Sequence, residues 1–296
     1  MSKRKFALIV CFCLVLLLAG CSLLTGFFSP ASINHLALGN PSNATPTGLT
    51  PNNYLMTKPQ FALSYNRSRG IPNWVSWQLD QGWLGDIDRQ NNFRPDEALP
   101  KKWNHVTPTD YRRSGYDRGH LTPSGDRTNT TINNSATFLM TNIIPQAADI
   151  NRGPWVDLEE YCRDLVRRGK TLYIIAGGYG KRDAITRGKI IPPAQVWKVI
   201  VVLDQPDIKS ITAQTLVMAV DMPNQNSAAT APWRRYLVSV DSLERQTGYD
   251  FLNKVDPSIQ AAVESRIDAS GADRVASVGA STARTAGLGR RDSRKG

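Results

Sequence analysis

Residues 117–125 read DRGHLTPSG, which sets Arg118 and His120 two positions apart with only Gly119 between them. An imidazole titrates nearer neutral pH than any other unperturbed side chain, so it is the natural group for proton transfer. His120 is one of three histidines in 296 residues, which leaves few other carriers for acid–base chemistry. Downstream, Asn151, Glu159 and Arg163 form an Asn-x7-Glu-x3-Arg array. Zinc chemistry is excluded, because His35, His105, His120 and Cys162 share no ligand spacing. A nucleophile elbow and a phosphate-cradling P-loop are also absent, and Gly177-Gly178-Tyr179-Gly180 lacks dinucleotide-binding spacing.

The elements that must position these groups follow from periodicity. Residues 154–168 (PWVDLEEYCRDLVRR) read as a helix that begins at Pro154 and stops at Gly169. Trp155, Leu158, Cys162, Leu165 and Val166 share one apolar stripe. Glu159 and Arg163 border that stripe four residues apart, a spacing that also allows a plain exposed helix pair. Glu160 points about 100° away from Glu159. Strands are expected at 61–65, 75–79, 136–140, 171–176, 196–203 and 211–220, and helices at 241–252 and 259–267. The sum is a single α+β domain of about 200 residues, enough to bury a full core.

The two ends differ in composition from this middle. Residues 1–20 have a basic start (Lys3, Arg4, Lys5) and an apolar run, and they lead into Leu18-Ala19-Gly20-Cys21. Small residues before a cysteine resemble a bacterial lipoprotein signal, which implies cleavage before Cys21 and a lipid on Cys21. An uncut membrane helix is the alternative, and both readings export the rest of the chain. Residues 21–58, rich in Ser, Thr, Asn, Pro and Gly, read as a flexible tether, and residues 59–267 as the folded domain. Residues 268–296 read as a basic disordered tail. Cys11 and Cys13 would leave with the signal and Cys21 would be acylated, so Cys162 has no disulfide partner and reads as a buried small hydrophobe. The net charge of +11 is concentrated at the ends, with three basic residues in 1–20 and seven basic against three acidic residues in 266–296. A basic chain favours polyanionic partners, but the middle of this one is only mildly basic.

These motifs together resemble the DNA/RNA non-specific endonucleases, a branch of the ββα-metal superfamily, and are similar to the sugar-nonspecific nuclease A type. The resemblance rests on DRGH, on FLMTNIIPQAADINRGPWVDLEEYCRDL (residues 138–165), on DRQNNFRP (residues 88–95) and on VWKVIVVLD and VSVDSLERQTGYDF further on. It covers about residues 55–267. It implies a ββα-metal nuclease fold with a central antiparallel sheet flanked by helices.

The resemblance also assigns roles. His120 would be the general base, and its ordinary pKa of about 6.5 would leave much of it neutral at pH 7. Asn151 would be the sole protein ligand of one Mg2+, for which Mn2+ substitutes; such an ion keeps several waters. A neutral amide leaves more of the ion's charge facing the phosphate than a carboxylate would. Glu159 would hold the waters of that ion. Arg89, Arg118 and Arg163 would face phosphate, with Arg89 nearest the developing charge. Asn142 is placed with the substrate-binding residues, orienting the site by hydrogen bonds, and Asp117 supports the loop.

Contacts to phosphate and metal carry no base sequence, so substrate breadth follows from the same groups. The resemblance implies an exported, metal-dependent endonuclease that cuts DNA and RNA to 5′-phosphorylated oligonucleotides. It implies a periplasmic, cell-surface or secreted location, an anchor in a bacterial membrane, and a dedicated inhibitor protein. The competing reading is a non-catalytic nucleic-acid-binding lipoprotein on the same fold. The intact set Arg89, Arg118, His120, Asn151 and Glu159 argues against it.

Overall fold

The longest apolar runs become the middle of a sheet covered on both faces. The computed structural model describes residues 33–226 and 231–268. Residues 34–296 form one unit; of the other, residues 1–33, only Ile33 is described. Seven antiparallel strands lie in the order β1-β2-β3-β6-β7-β8-β9. They are β1 (Tyr54–Thr57), β2 (Ala62–Asn66), β3 (Ile71–Leu79), β6 (Thr171–Tyr179), β7 (Gln195–Leu203), β8 (Leu216–Pro223) and β9 (Leu237–Val238). Strands β4 (Asp117–His120) and β5 (Ile143–Gln146) make a separate ribbon. The helices are α1 (Thr131–Ala136), α2 (Ala148–Arg152), α3 (Pro154–Arg167), α4 (Val240–Thr247) and α5 (Pro257–Glu264).

Alternation along the central strands divides the core in two. Val75, Trp77, Leu172, Ile174 and Ile200 point to one face, where they meet Ile143 and Ile144 of the ribbon and Trp155, Leu158, Cys162 and Leu165 of α3. Trp74, Tyr173, Ile175, Trp197 and Val199 point to the other, where they meet Val240, Leu243 and Val263 of α4 and α5. The β4–β5–α3 unit therefore packs on one face of the large sheet, and the C-terminal helices pack on the opposite one. Cys162 is a free, buried thiol within the first cluster, as its apolar setting predicts.

Two expectations are corrected. The segment read as tether is part of the domain from residue 34 onward: Leu38, Ala44 and Met56 are buried, and β1 pairs with β2. Its polar residues are turn chemistry. Asn40 bonds both the N–H and the carbonyl of Ala44, and Asn53 bonds Ser42 and Ser64. His35 is buried there as well, with the Gln78 N–H donating to Nδ1 and Nε2 against the Pro59 carbonyl. The expected strand at 136–140 is instead the end of α1 and the start of a 3₁₀ turn (Met140–Asn142), and the strand begins at Ile143. Thr130 caps α1 by accepting from Asn133 N–H, a start signal outweighed by the apolar run. Residues 1–32 and 269–296, which include the signal, Cys21 and the basic tail, lie outside the described residues. Among the described residues, no helix is long and apolar enough to cross a membrane.

If residues 34–57 are structural, Leu38→Ala opens a cavity in the second core cluster. Urea unfolding should then show a loss of about 2–5 kcal/mol. An unchanged midpoint and slope would return this segment to the status of a tether.

Candidate active site

Strand β4 pairs antiparallel with β5, setting Asp117 opposite Gln146 and His120 opposite Ile143. The glycine of the motif is required by this pairing: a Cβ on Gly119 would lie 2.2 Å from Gln146 Oε1. Beyond β4 the chain enters a 3₁₀ turn, Ser124–Asp126. Asn142 holds that exit from behind. Its oxygen accepts from the Thr122 N–H (2.9 Å), and its nitrogen donates to the Thr122 and Thr137 carbonyls (2.8 Å each). Asn142 is fully buried and both ends of its amide are used, so its place among substrate-binding residues is corrected to a positioning one.

His120 is 8% exposed and sits between two phenyl rings, with centroids 5.3 Å from Phe93 and 4.9 Å, edge-on, from Phe138. Its Nε2 is buried and has no hydrogen-bond partner. Burial first, and then the charges of Arg89 and Arg118, pull its pKa down to about 3. In the free protein the imidazole is therefore neutral across the physiological range, more completely than its ordinary value would make it.

The two arginines are held by their surroundings. Arg89 donates through Nε to Asn91 (2.8 Å) and through Nη1 to Ser124 (3.0 Å), and its guanidinium lies 4.9 Å from the Phe138 centroid. The Arg118 guanidinium stacks over Phe93 at 4.2 Å. Phe93 and Phe138 thus each face His120 and one of its flanking cations.

Asn151 lies near the end of α2, where its Nδ2 donates to Asp117 Oδ2 at 2.9 Å. Asp117 also takes a two-point contact from Arg152, at 2.8 and 2.7 Å. The Asp117 carboxylate thereby orients the amide, and among the described residues no hydrogen bond to Asn151 Oδ1 is made. Asp117 supports the loop as expected, and it also aims the neighbouring ligand candidate.

Helix α3 supplies Glu159 and Arg163, which do not pair with each other as their spacing would allow. Arg163 instead donates to Asp126 (2.9 Å) and to Glu160 (2.6 Å), because the buried Asp126 carboxylate lies directly below it. Gly125 leaves the room, since a Cβ there would meet the Arg163 guanidinium at 2.9 Å. Glu159 points toward Lys198 of β7, whose Nζ is 3.7 Å from Oε1. Burial raises the Glu159 carboxyl to about 7, against the opposing charges of Lys198 and Arg163.

One cavity of about 490 Å³ gathers Arg89, Arg118, His120, Asn151, Glu159 and Arg163. A second of about 530 Å³ shares Arg89, Arg118 and Asn151 and continues past Phe93, Tyr116 and Arg112, so the site opens along a groove. The donors beside His120 are all oxygen, an amide and a carboxylate, which suits a hard cation such as Mg2+. A second oxygen cluster, Asp241, Glu244 and Glu264, lies on α4 and α5. Those helices cover the opposite face of the sheet and bring no histidine or phosphate-facing arginine to it. Sequence reasoning did not single out Lys198 or Asp126. Lys198 had a signal, being a lone charge within an apolar strand. Asp126 had none, since an aspartate in a turn is ordinary.

The state of His120 is directly measurable. Its imidazole resonances should stay those of the neutral ring from pH 8 to below pH 5 in the metal-free protein. A midpoint near 6.5 would contradict the enclosed geometry. The sign for stability follows: the unfolded chain takes up this proton first, so His120 makes folding less favourable as pH falls from about 6.5 towards 3. His35, lowered by burial to about 4, acts in the same sense.

Comparison with known proteins agrees with this geometry. The profile of the DNA/RNA non-specific endonuclease family matches residues 38–258. A nuclease of Nostoc sp. (strain PCC 7120) is 54% identical over 263 residues, covering 86% of this chain and 96% of that protein. The mitochondrial nuclease of Saccharomyces cerevisiae is 31% identical over 227 residues, covering 71% of this chain and 68% of that one. EndoG in a crystallised EndoG/EndoGI complex superimposes with a TM-score of 0.60 at 26% identity, covering 72% of this chain and 94% of that one. The ββα-metal fold read from the motifs is therefore the observed one, and the chain belongs to the DNA/RNA non-specific endonuclease family, whose members hydrolyse nucleic acids.

Proposed function

We propose that this chain is an exported, metal-dependent endonuclease that hydrolyses DNA and RNA without regard to sequence or sugar. The observation that carries the reading is the cavity that sets a neutral histidine beside an amide oxygen unengaged among the described residues, a partly buried carboxylate and the arginines. His120 accepts the proton of the attacking water, whose oxygen bonds to phosphorus as the bond to the 3′ oxygen breaks. The products are 5′-phosphorylated oligonucleotides. Arg89 and Arg118 lie on the open side and take the phosphate oxygens, with Arg89 nearest the developing charge. Arg163, whose terminal nitrogens already engage Asp126 and Glu160, adds positive charge from below.

Asn151 Oδ1 and the carboxylate of Glu159 would hold Mg2+ or Mn2+, the amide directly and the carboxylate through waters. When bound, the ion supplies positive charge to the phosphate and acidity to the leaving oxygen. The groups assigned to the substrate touch phosphate, which supports breadth, because backbone contacts carry no base sequence.

The remaining parts of the proposal rest on sequence. Residues 1–20 followed by Cys21 support export and a lipid anchor in a bacterial membrane, with the domain in the periplasm or at the cell surface, or released. A dedicated inhibitor protein is supported by the similar EndoG, which was solved in a complex that describes its inhibition.

Two measurements test the site. His120→Ala should lower kcat about 10²–10⁴-fold on plasmid DNA and single-stranded RNA alike, with substrate binding retained. Undiminished cleavage would remove His120 from its role. Separately, a cation beside Glu159 favours the charged carboxylate, so Mg2+ uptake below pH 7 should expel a proton and weaken as the pH falls. Calorimetry in buffers of different ionisation enthalpy reads this directly, and heats independent of buffer at pH 6 would contradict it.

A further inference from the structure

Strand β7 is buried along both faces, and Val196 and Ile200 are completely enclosed on the side toward α3. Lys198 stands between them, 1% exposed. An apolar side chain would fit this position without any desolvation penalty, whereas a buried ammonium carries a large one. The lysine therefore does not serve packing.

Its surroundings specify what it meets. The ammonium lies 4.3 Å from the Trp155 ring centroid and 5.8 Å from that of Trp77, so two indole faces enclose it. Its carboxylate neighbour is Glu159, at 3.7 Å. The other buried carboxylate nearby, Asp126, is already bonded to Arg163 and to the Trp77 Nε1. Trp155 and Glu159 are four residues apart on α3, so the helix presents the ring and the carboxylate to the lysine together. The charge reaches Glu159, on the cavity wall, from the sheet beneath it.

We infer that Lys198 is a positioning residue for Glu159: its ammonium, fixed by Trp77 and Trp155, holds the carboxylate turned toward the cavity from inside the sheet. The inference rests on the proposed role of Glu159. A residue without the ammonium at 198 would leave the carboxylate free to turn toward Arg163, and the waters it is proposed to hold would lose their acceptor. The expected cost is the one seen for residues that orient a metal's surroundings, about 10–100-fold in affinity or rate.

The test is a double-mutant cycle with two readouts: Mn2+ affinity from the electron paramagnetic resonance of free Mn2+, and kcat and KM on plasmid DNA. K198M should weaken Mn2+ binding and lower kcat by about 10–100-fold with KM for DNA nearly unchanged. E159Q should lose at least as much, and E159Q/K198M should be no worse than E159Q. K198R, which keeps the charge, should bind Mn2+ better than K198M. Multiplying effects in the double variant, or wild-type Mn2+ affinity in K198M, would overturn the inference for Lys198 alone. Wild-type binding and turnover in E159Q would overturn the reading of Glu159, and this inference with it. If K198M does not fold, equal Mn2+ affinity in E159Q and E159Q/K198M supports the inference, and a further loss in the double variant refutes it.

Discussion

The carboxylate of Asp126 is where three parts of the molecule meet. One oxygen accepts from Trp77 Nε1 in the central sheet, and the other from Arg163 in α3. Asp126 itself closes the 3₁₀ turn that follows β4. Breaking such a buried pair on one side costs about 3–5 kcal/mol, because a charge is left without a partner. The neighbouring Arg127 secures the same turn. It is fully buried, stacks on Trp83 at 3.9 Å and donates to the carbonyls of Gln60 and Gln78. With both residues in place, the strand that carries His120 and the helix that carries Glu159 are referred to one sheet. The ribbon alone, four residues paired with four, could not hold them in register.

That mechanical frame sets up opposite electrostatic demands a short distance apart. His120 is kept uncharged by two phenyl rings and two arginines, so the base is ready without a proton to lose. Glu159 is buried enough to resist ionisation, and cations on either side of it, Lys198 and Arg163, oppose that resistance. Asn151 contributes no charge, and its direction comes from Asp117. Several groups on the cavity wall depend on a partner that holds them: Asp117, itself on the wall, for Asn151, Asp126 for Arg163, Asn142 for the end of β4. Asp126 and Asn142 are more deeply buried than Arg163 and His120, the groups they hold in place.

How much of this could be read from the chain differs by residue. His120 and Asn151 were singled out because their types are rare or well spaced, whereas the strand that DRGH forms was not expected. Helix α3 was legible to within a residue, since its stripe, its proline start and its glycine end all agree. The Arg163 partner was not legible. The four-residue spacing to Glu159 is a local signal, whereas Asp126 is brought in by tertiary packing 37 residues away in the chain. The segment before β1 looked like a tether for a similar reason. Its asparagines and serines are the same residues whether they face water or satisfy a buried turn, and composition does not distinguish the two. Lys198 shows the converse: its oddity was visible in the strand, but its purpose needed α3 to be laid across it.

The central claim is that the chemistry gathers at Asn151 and Glu159 beside His120, on the α3 face of the sheet. Anomalous diffraction from a crystal soaked in Mn2+ tests it most directly. The account predicts one strong manganese peak about 2.1–2.3 Å from Asn151 Oδ1, with water between the ion and Glu159. A peak among Asp241, Glu244 and Glu264 with no density beside Asn151 would contradict it.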